Sequence, residues 1–354
     1  MRITVSTLAR TAGLVLAACA TLAAVAMSAR ASVPVDLRVV SNDGGNLADV
    51  RQYVPGNTTV KTYAGDDCID PTPPFKQSSG RSYTQSGPTM LSAIWEAAQV
   101  EPALQPLRLS DADYASFGSL TICQIKAKTP PGFFFLRANH QTLQVGASLF
   151  AVQGGEDLLA YRTPDDLTTD DELALSAPVR TAPGVAVTVN VRAYTSTTAT
   201  VEPRSGVTVV GGDSPAQTDF AGNAAVSFAA AGVYRLTALG DYNDIPSRTL
   251  TVCVNARPEQ GCPAERGREI LGSDEPEGIK GTDGDDVIRP RGGKDGVKAA
   301  AGADLIVANG GGRDRIFCGG GKDTVVRDRK DRVSKSCEVV RGGKKKHKKG
   351  KHRR

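Results

Sequence analysis

Gly281-Thr-Asp-Gly-Asp-Asp286-Val-Ile288-Arg289 opens a run in which a Gly-x-Asp-x-aliphatic core returns four times. The copies are Gly293-Lys-Asp295-Gly-Val297, Gly302-Ala-Asp304-Leu-Ile306, Gly312-Arg-Asp314-Arg-Ile316 and Gly321-Lys-Asp323-Thr-Val325, and a sixth, degraded copy ends Asp331-Arg-Val333. The aspartates step by 9, 9, 10, 9 and 8 residues. One supersecondary unit stacked on copies of itself produces such self-similarity, and a single packed core does not.

Each position has a physical reading. Glycine before the aspartate permits a φ > 0 turn and leaves room beside the carboxylate, which supplies a hard oxygen; the aliphatic residue two further on points inward from a short strand. If two units make one turn of a flattened coil, units n and n+2 stack. Asp286, Asp304 and Asp323 then share one edge, and Asp295, Asp314 and Asp331 the other. Ile288, Val297, Ile306, Ile316, Val325 and Val333 form two apolar ladders inside.

Residues 279–340 closely resemble the hemolysin-type (RTX) calcium-binding repeats, with consensus Gly-Gly-x-Gly-x-Asp-x-hydrophobic-x. The resemblance implies a short parallel β-roll, with Ca²⁺ as cofactor and Asp286, Asp295, Asp304, Asp314, Asp323 and Asp331 as the metal residues. The first edge is expected to be the better one, because Asp285 adds a carboxylate to it. Yet Lys294, Arg313, Lys322 and Lys330 precede the aspartates, and residues 279–341 carry 14 Lys+Arg against 10 Asp+Glu. A cation about 8 Å from Ca²⁺ costs roughly 1 kcal/mol in water and about 4 at an effective dielectric of 20. Two readings follow: a calcium-bound roll, or a dry roll held by its aliphatic ladders and a disulfide.

Residues 1–31 read as a signal peptide. Arg2 and Arg10 precede the apolar stretch Gly13–Met27, and Ala29-Arg-Ala31 is a small-x-small cleavage signal. Leu16-Ala-Ala-Cys19 has the lipobox form, an alternative that the apolar run continuing past Cys19 disfavours. The expected location is extracellular, secreted or at the cell surface, with no transmembrane span in the mature chain. The six remaining cysteines then sit in an oxidising compartment. Six allow 15 pairings, of which locality selects Cys68 with Cys123, Cys253 with Cys262 and Cys318 with Cys337. Metal ligation is the weaker reading, since there is no Cys-x-x-Cys and His140 is the only histidine outside the tail.

Composition divides the rest into modules, and the fold class expected is multidomain and mainly β. Residues 32–168 combine apolar extended runs at 35–40, 59–63, 120–125, 133–138 and 158–161 with one helix. In that helix Leu91, Ile94, Trp95 and Ala98 share a face, Thr89 caps the start and Pro102 stops it. Strand, strand, helix, three strands is a β-grasp-like α+β order. Phe133-Phe-Phe-Leu-Arg-Ala-Asn-His140 and Gly155-Glu-Asp-Leu-Leu-Ala-Tyr161 resemble a small domain related to the C-terminal domain of transcobalamin. Trp95 is expected as a core anchor, and His140 as a solvated turn residue.

Residues 172–255 alternate as Val185, Val187, Val189, Val191 and again as Leu250, Val252, Val254, which indicates a β-sandwich. Thr218-Asp-Phe-Ala-Gly-Asn-Ala-Ala-Val-Ser-Phe228, with Ala231-Gly-Val-Tyr-Arg-Leu-Thr-Ala238, resembles bacterial Ig-like domains of adhesins and surface proteins. Residues 256–278, rich in Pro, Gly and charge, read as a linker.

Residues 342–354 read as a disordered tail holding eight Lys+Arg and no acid. Of 43 basic residues, setting aside these eight and three in the leader leaves 32 against 38 acidic, so the body is at −6. Such a tail suits a cell-wall or surface polyanion as partner, and nucleic acid is not expected outside a cell. No Gly-x-Ser-x-Gly or His-Glu-x-x-His occurs, and Gly319-Gly-Gly-Lys322-Asp-Thr324 breaks the phosphate-loop pattern because Asp323 separates Lys from Thr. The expected function is therefore non-catalytic surface binding or adhesion. Capture of a small molecule by the N-terminal domain is the alternative, and a hydrolase using a carboxylate pair is a third, weaker one.

Overall fold

The computed structural model describes residues 32–41, 44–66, 76–126, 134–162, 171–195, 200–241, 244–258, 262 and 266–343. The signal peptide, Cys68 and residues 344–354 of the basic tail lie outside them. The described chain is multidomain in arrangement and mainly β, with two helices, Met90–Ala98 and Tyr114–Phe117. No helix among the described residues is long and apolar enough to cross a membrane.

The first module is organised by the strand Val33–Val40, whose Val35, Leu37 and Val39 are fully buried at alternating positions. It pairs parallel with Asp157–Tyr161 and antiparallel with Asn46–Val54. The helix packs Met90, Leu91, Ile94 and Ala97 into the same core. Each large side chain buried there is worth roughly 1.5–3 kcal/mol. Thr89 caps the helix by accepting from the Ser92 N–H at 3.1 Å, as the sequence suggests. Trp95 is only partly buried, packing against the edge of the core.

The nine-residue strand Asn46–Val54 has no counterpart among the predicted strands. Asp49, Arg51 and Gln52 interrupt its apolar alternation. It becomes a strand because both its edges are paired: its second edge takes Arg266–Leu271 in parallel, Arg51 opposite Ile270 and Gln52 opposite Leu271. Arg266–Leu271 is therefore a strand inside the segment expected to be a linker, and Gly278–Lys280 is a strand that starts at its last residue. The result is one ten-stranded sheet, which runs Gln141–Thr142, Phe135–Ala138, Asp157–Tyr161, Val33–Val40, Asn46–Val54, Arg266–Leu271, Asp285–Arg289, Leu305–Ala308, Thr324–Arg327 and Val339–Gly342.

The last five strands of that sheet alternate along the chain with a second, four-stranded one: Gly278–Lys280, Gly296–Ala301, Arg315–Gly320 and Arg332–Val333. The chain is thus a flattened coil of parallel strands. Ile270, Ile288, Ile306, Val325 and Val340 occupy matching positions on one sheet; Ile279, Val297, Ile316 and Val333 do so on the other. Seven of these nine side chains, from Ile270 to Val325, are fully buried. Close stacking needs glycine at the turns. Gly321, at φ +120°, would place a Cβ 1.8 Å from the Gly302 carbonyl oxygen. Cys318 and Cys337 form a disulfide across the final rungs.

In the middle module two five-stranded sheets face one another about a core of Val187, Val189, Val191, Val209, Phe228, Leu236 and Val252. Val185 breaks its predicted alternation: it is half exposed and precedes the strand Val187–Tyr194. Cys253 and Cys262 form a disulfide. Cys123 is buried and disulfide-bonded, but its predicted partner Cys68 is outside the described residues.

Tyr53 joins the first module to the coil, packing in the coil's core while its hydroxyl donates to the Gly278 carbonyl at 3.1 Å. Tyr53→Ala should cost about 3 kcal/mol, and calorimetry should show the first module and the coil destabilised together.

Candidate functional site

The predicted aspartates are brought together as two columns. On one edge the backbone N–H of Arg268 donates to Asp286 Oδ1 (2.5 Å), Asp286 N–H to Asp304 Oδ1 (2.9 Å), Asp304 N–H to Asp323 Oδ1 (2.9 Å) and Asp323 N–H to Glu338 Oε2 (2.8 Å). On the other edge Glu277 N–H donates to Asp295 Oδ1 (2.9 Å), Asp295 N–H to Asp314 Oδ1 (3.0 Å) and Asp314 N–H to Asp331 Oδ1 (3.1 Å). Every ladder carboxylate therefore holds its own rung to the preceding one. Glu277 and Glu338 belong to the columns too, and the sequence reading missed them. Glu277-Gly-Ile279 stands 18 residues before Asp295-Gly-Val297, which is the signal that exposes the first of them.

The second oxygens separate the six aspartates. Asp286 Oδ2 accepts from the Thr282 N–H, and Asp331 Oδ2 from the Asp328 N–H. Asp295, Asp304, Asp314 and Asp323 are at most 2% exposed, and Oδ2 of each is buried without a hydrogen-bond partner. The unpartnered oxygens divide evenly, two per edge, so the first edge is not favoured. Burial pushes the Asp295 carboxyl up to about 8 and the Asp304 carboxyl to about 7, and the neighbouring ladder carboxylates add to the rise. Asp314 and Asp323 are raised by burial as well.

These oxygens fit the chemistry of Ca²⁺, a hard cation taking carboxylate and carbonyl oxygens. The fit is of one carboxylate per rung, because no group of three or more metal-ligating side chains occurs among the described residues. The cations beside the aspartates do not fill the columns: Lys294, Arg313, Lys322 and Lys330 are all exposed.

A second cluster lies between the first and middle modules. Glu172, 5% exposed, receives Arg38 Nη2 at 2.6 Å, His140 Nδ1 at 3.0 Å and Arg137 Nη1 at 3.8 Å. The His140 ring stacks on Tyr194 at 3.6 Å. His140, expected to be solvated, is instead an inter-module contact, held at a turn with φ +67°. The signal was absent from the sequence because its partners come from a different module.

A polar cleft of about 410 Å³ sits on the four-stranded face of the coil. A cleft of about 780 Å³ lies where the three modules meet. It is lined largely by charges already paired, Arg248 with Asp49 and Asp157, and Arg268 with Asp36. Small-molecule sites are mostly apolar, so this lining does not favour capture. Comparison with protein-family models, curated proteins and solved structures returned no match.

Two predictions test these clusters. Asp304→Asn keeps an acceptor for the Asp286 N–H and removes the buried charge, so in chelator at pH 8 it should melt no lower than wild type. Asp304→Ala strands that N–H and should cost about 1–3 kcal/mol. Burial opposes ionisation of Glu172, but the His140 hydrogen bond and the Arg38 and Arg137 charges outweigh it and hold the carboxyl below its ordinary value of 4.5. Its stabilisation is then present above about pH 4.5 and is lost as pH falls through the lower folded-state value. The melting-temperature gap between wild type and Glu172→Gln should close as pH falls below about 4.5.

Proposed function

We propose that the protein is a secreted or surface-associated, non-catalytic binding protein whose C-terminal coil is a calcium-binding β-roll of the RTX type. The observation that carries this reading is the in-register set of buried, unpartnered Oδ2 atoms on Asp295, Asp304, Asp314 and Asp323. These four residues would hold Ca²⁺, with backbone carbonyls completing the oxygen set. The bound ion supplies positive charge to carboxylates that burial otherwise forces toward the protonated state. Asp286 and Asp331, with both oxygens hydrogen-bonded, act as the ends of the columns.

The facing sheets of the middle module support an Ig-like spacer, and the first module's parallel central pair with its packed helix supports the β-grasp-like reading. The first module stacks on the first turn of the coil, so ordering of the coil is transmitted to a body that already covers one end. The basic tail beyond Gly343 supplies a salt-sensitive contact to a surface polyanion.

The test is calcium titration of the whole mature chain, followed by thermal melting. Binding to the folded state should stabilise by about 2.7 kcal/mol at a hundredfold excess over the dissociation constant. Asp304→Ala should remove most of the gain, and Asp331→Ala little of it. A melting curve unmoved up to about 10 mM Ca²⁺, beyond the usual extracellular-module range, would overturn the calcium reading and leave a dry roll.

A further inference from the structure

The four-stranded face of the coil carries no acid at any outward position. Gly278 and Lys280, Gly296 and Lys298, Arg315 and Phe317, and Arg332 and Ser334 point away from the apolar ladder, each flanking a buried Ile279, Val297, Ile316 or half-buried Val333. Parallel register places Gly296, Arg315 and Arg332 in one column and Lys280, Lys298 and Phe317 in the next. Successive rungs in a sheet lie about 4.8 Å apart, so the cations recur at that step.

The cleft of about 410 Å³ opens where these columns meet the turn, and Lys294, Arg313, Arg315 and Arg332 line it. None of the four side chains has an ion-pair or hydrogen-bond partner among the described residues, and all are exposed. Asp295, also at the cleft, is 2% exposed and points its Oδ1 at the Glu277 N–H. Gly296 supplies the opening: where the next two rungs carry arginine, this one has no side chain. Four like charges on one wall repel each other and raise the energy of the empty face. Six other arginines among the described residues, Arg38, Arg204, Arg248, Arg268, Arg289 and Arg291, are paired with carboxylates.

We infer that this cleft and the cationic columns beside it are a binding site for an extended phosphate-bearing polymer. Guanidinium forks match the paired oxygens of a phosphate better than a lysine point charge does. Three arginines and a lysine around one cleft suit a group presenting several anionic oxygens. Lys298, on the Gly296 rung, and Lys280, one rung further, continue the positive surface, a length that a single phosphate leaves unused. Phe317, 51% exposed amid these cations, offers an apolar contact to the backbone of such a polymer. The inference goes with the surface-binding reading above but places binding on the folded coil, away from the tail and beside the column that holds Asp295.

The test uses the full mature chain and its Arg315→Ala/Arg332→Ala variant, with melting temperature as the folding control, since both side chains are exposed. Probes are poly(glycerol phosphate), inorganic phosphate, polygalacturonate of matched charge and phosphatidylglycerol vesicles. The wild type should bind poly(glycerol phosphate) at least tenfold more tightly than any other probe. The double variant should lose about tenfold per arginine, the worth of one charge-assisted hydrogen bond. It should also show a shallower dependence of affinity on salt, by roughly 0.7 per lost contact.

Unchanged affinity in the double variant would overturn the site. If a chain truncated after Gly343 then loses all binding, the tail alone holds polyanions and the surface-binding reading survives. Equal binding of polygalacturonate would overturn the phosphate assignment. Tighter binding to the vesicles would overturn the polymer in favour of a lipid surface, and equal binding of inorganic phosphate would overturn the extended ligand.

Discussion

The parallel pairing of Arg51 and Gln52 with Ile270 and Leu271 is the contact on which the rest of the molecule depends. A coil of stacked rungs has nearest-neighbour stability, and its first rung needs a surface that satisfies its backbone groups and covers its apolar side. Asn46–Val54 provides both, since Tyr53 reaches into the coil's core and Leu271 into the core of the first module. The Arg291–Glu96 ion pair at 2.6 Å ties a turn of the coil to the helix. First module and coil are therefore one continuous sheet, although their sequences look unrelated.

The repeats were legible because a fixed number of residues per rung imposes a fixed spacing, and the inward aliphatics at 288, 297, 306, 316 and 325 fall in the register that spacing dictates. The coil's beginning was not legible. There Glu277 and Arg268 replace aspartate in the columns, and Pro276 and dense charge give the look of a linker. Asn46–Val54 was missed for a related reason: a strand paired on both edges and packed at one end need not alternate. His140 shows the limit of local reading, because a turn residue becomes an inter-module contact only when another module brings Glu172 and Tyr194 to it.

One coil presents two opposed chemistries. Its edges gather carboxylates whose charge is costly without a counterion, while its flat face gathers arginines and lysines with no acid among them. The two sets alternate along the chain, as in Arg313-Asp314-Arg315, and the two-residue period of a strand sends them to different surfaces. Averaged over residues 279–341, the 14 basic and 10 acidic residues largely offset one another. In space they meet at the cleft, where Asp295 lies among the cations.

The ten-stranded sheet has two outer edges, and they are unlike. Gln141–Thr142 is only two residues long, too short to template another strand, whereas Val339–Gly342 leaves a longer row of backbone groups beside a 43%-exposed Val340. Such an edge invites a second copy to pair with it edge to edge. Arg341 lies within that strand, and eight further cations follow within thirteen residues of Gly342. Two copies aligning these edges would have to bring both charge runs together. The basic tail then also opposes pairing of two copies along this edge, and its opposition weakens as salt screens it.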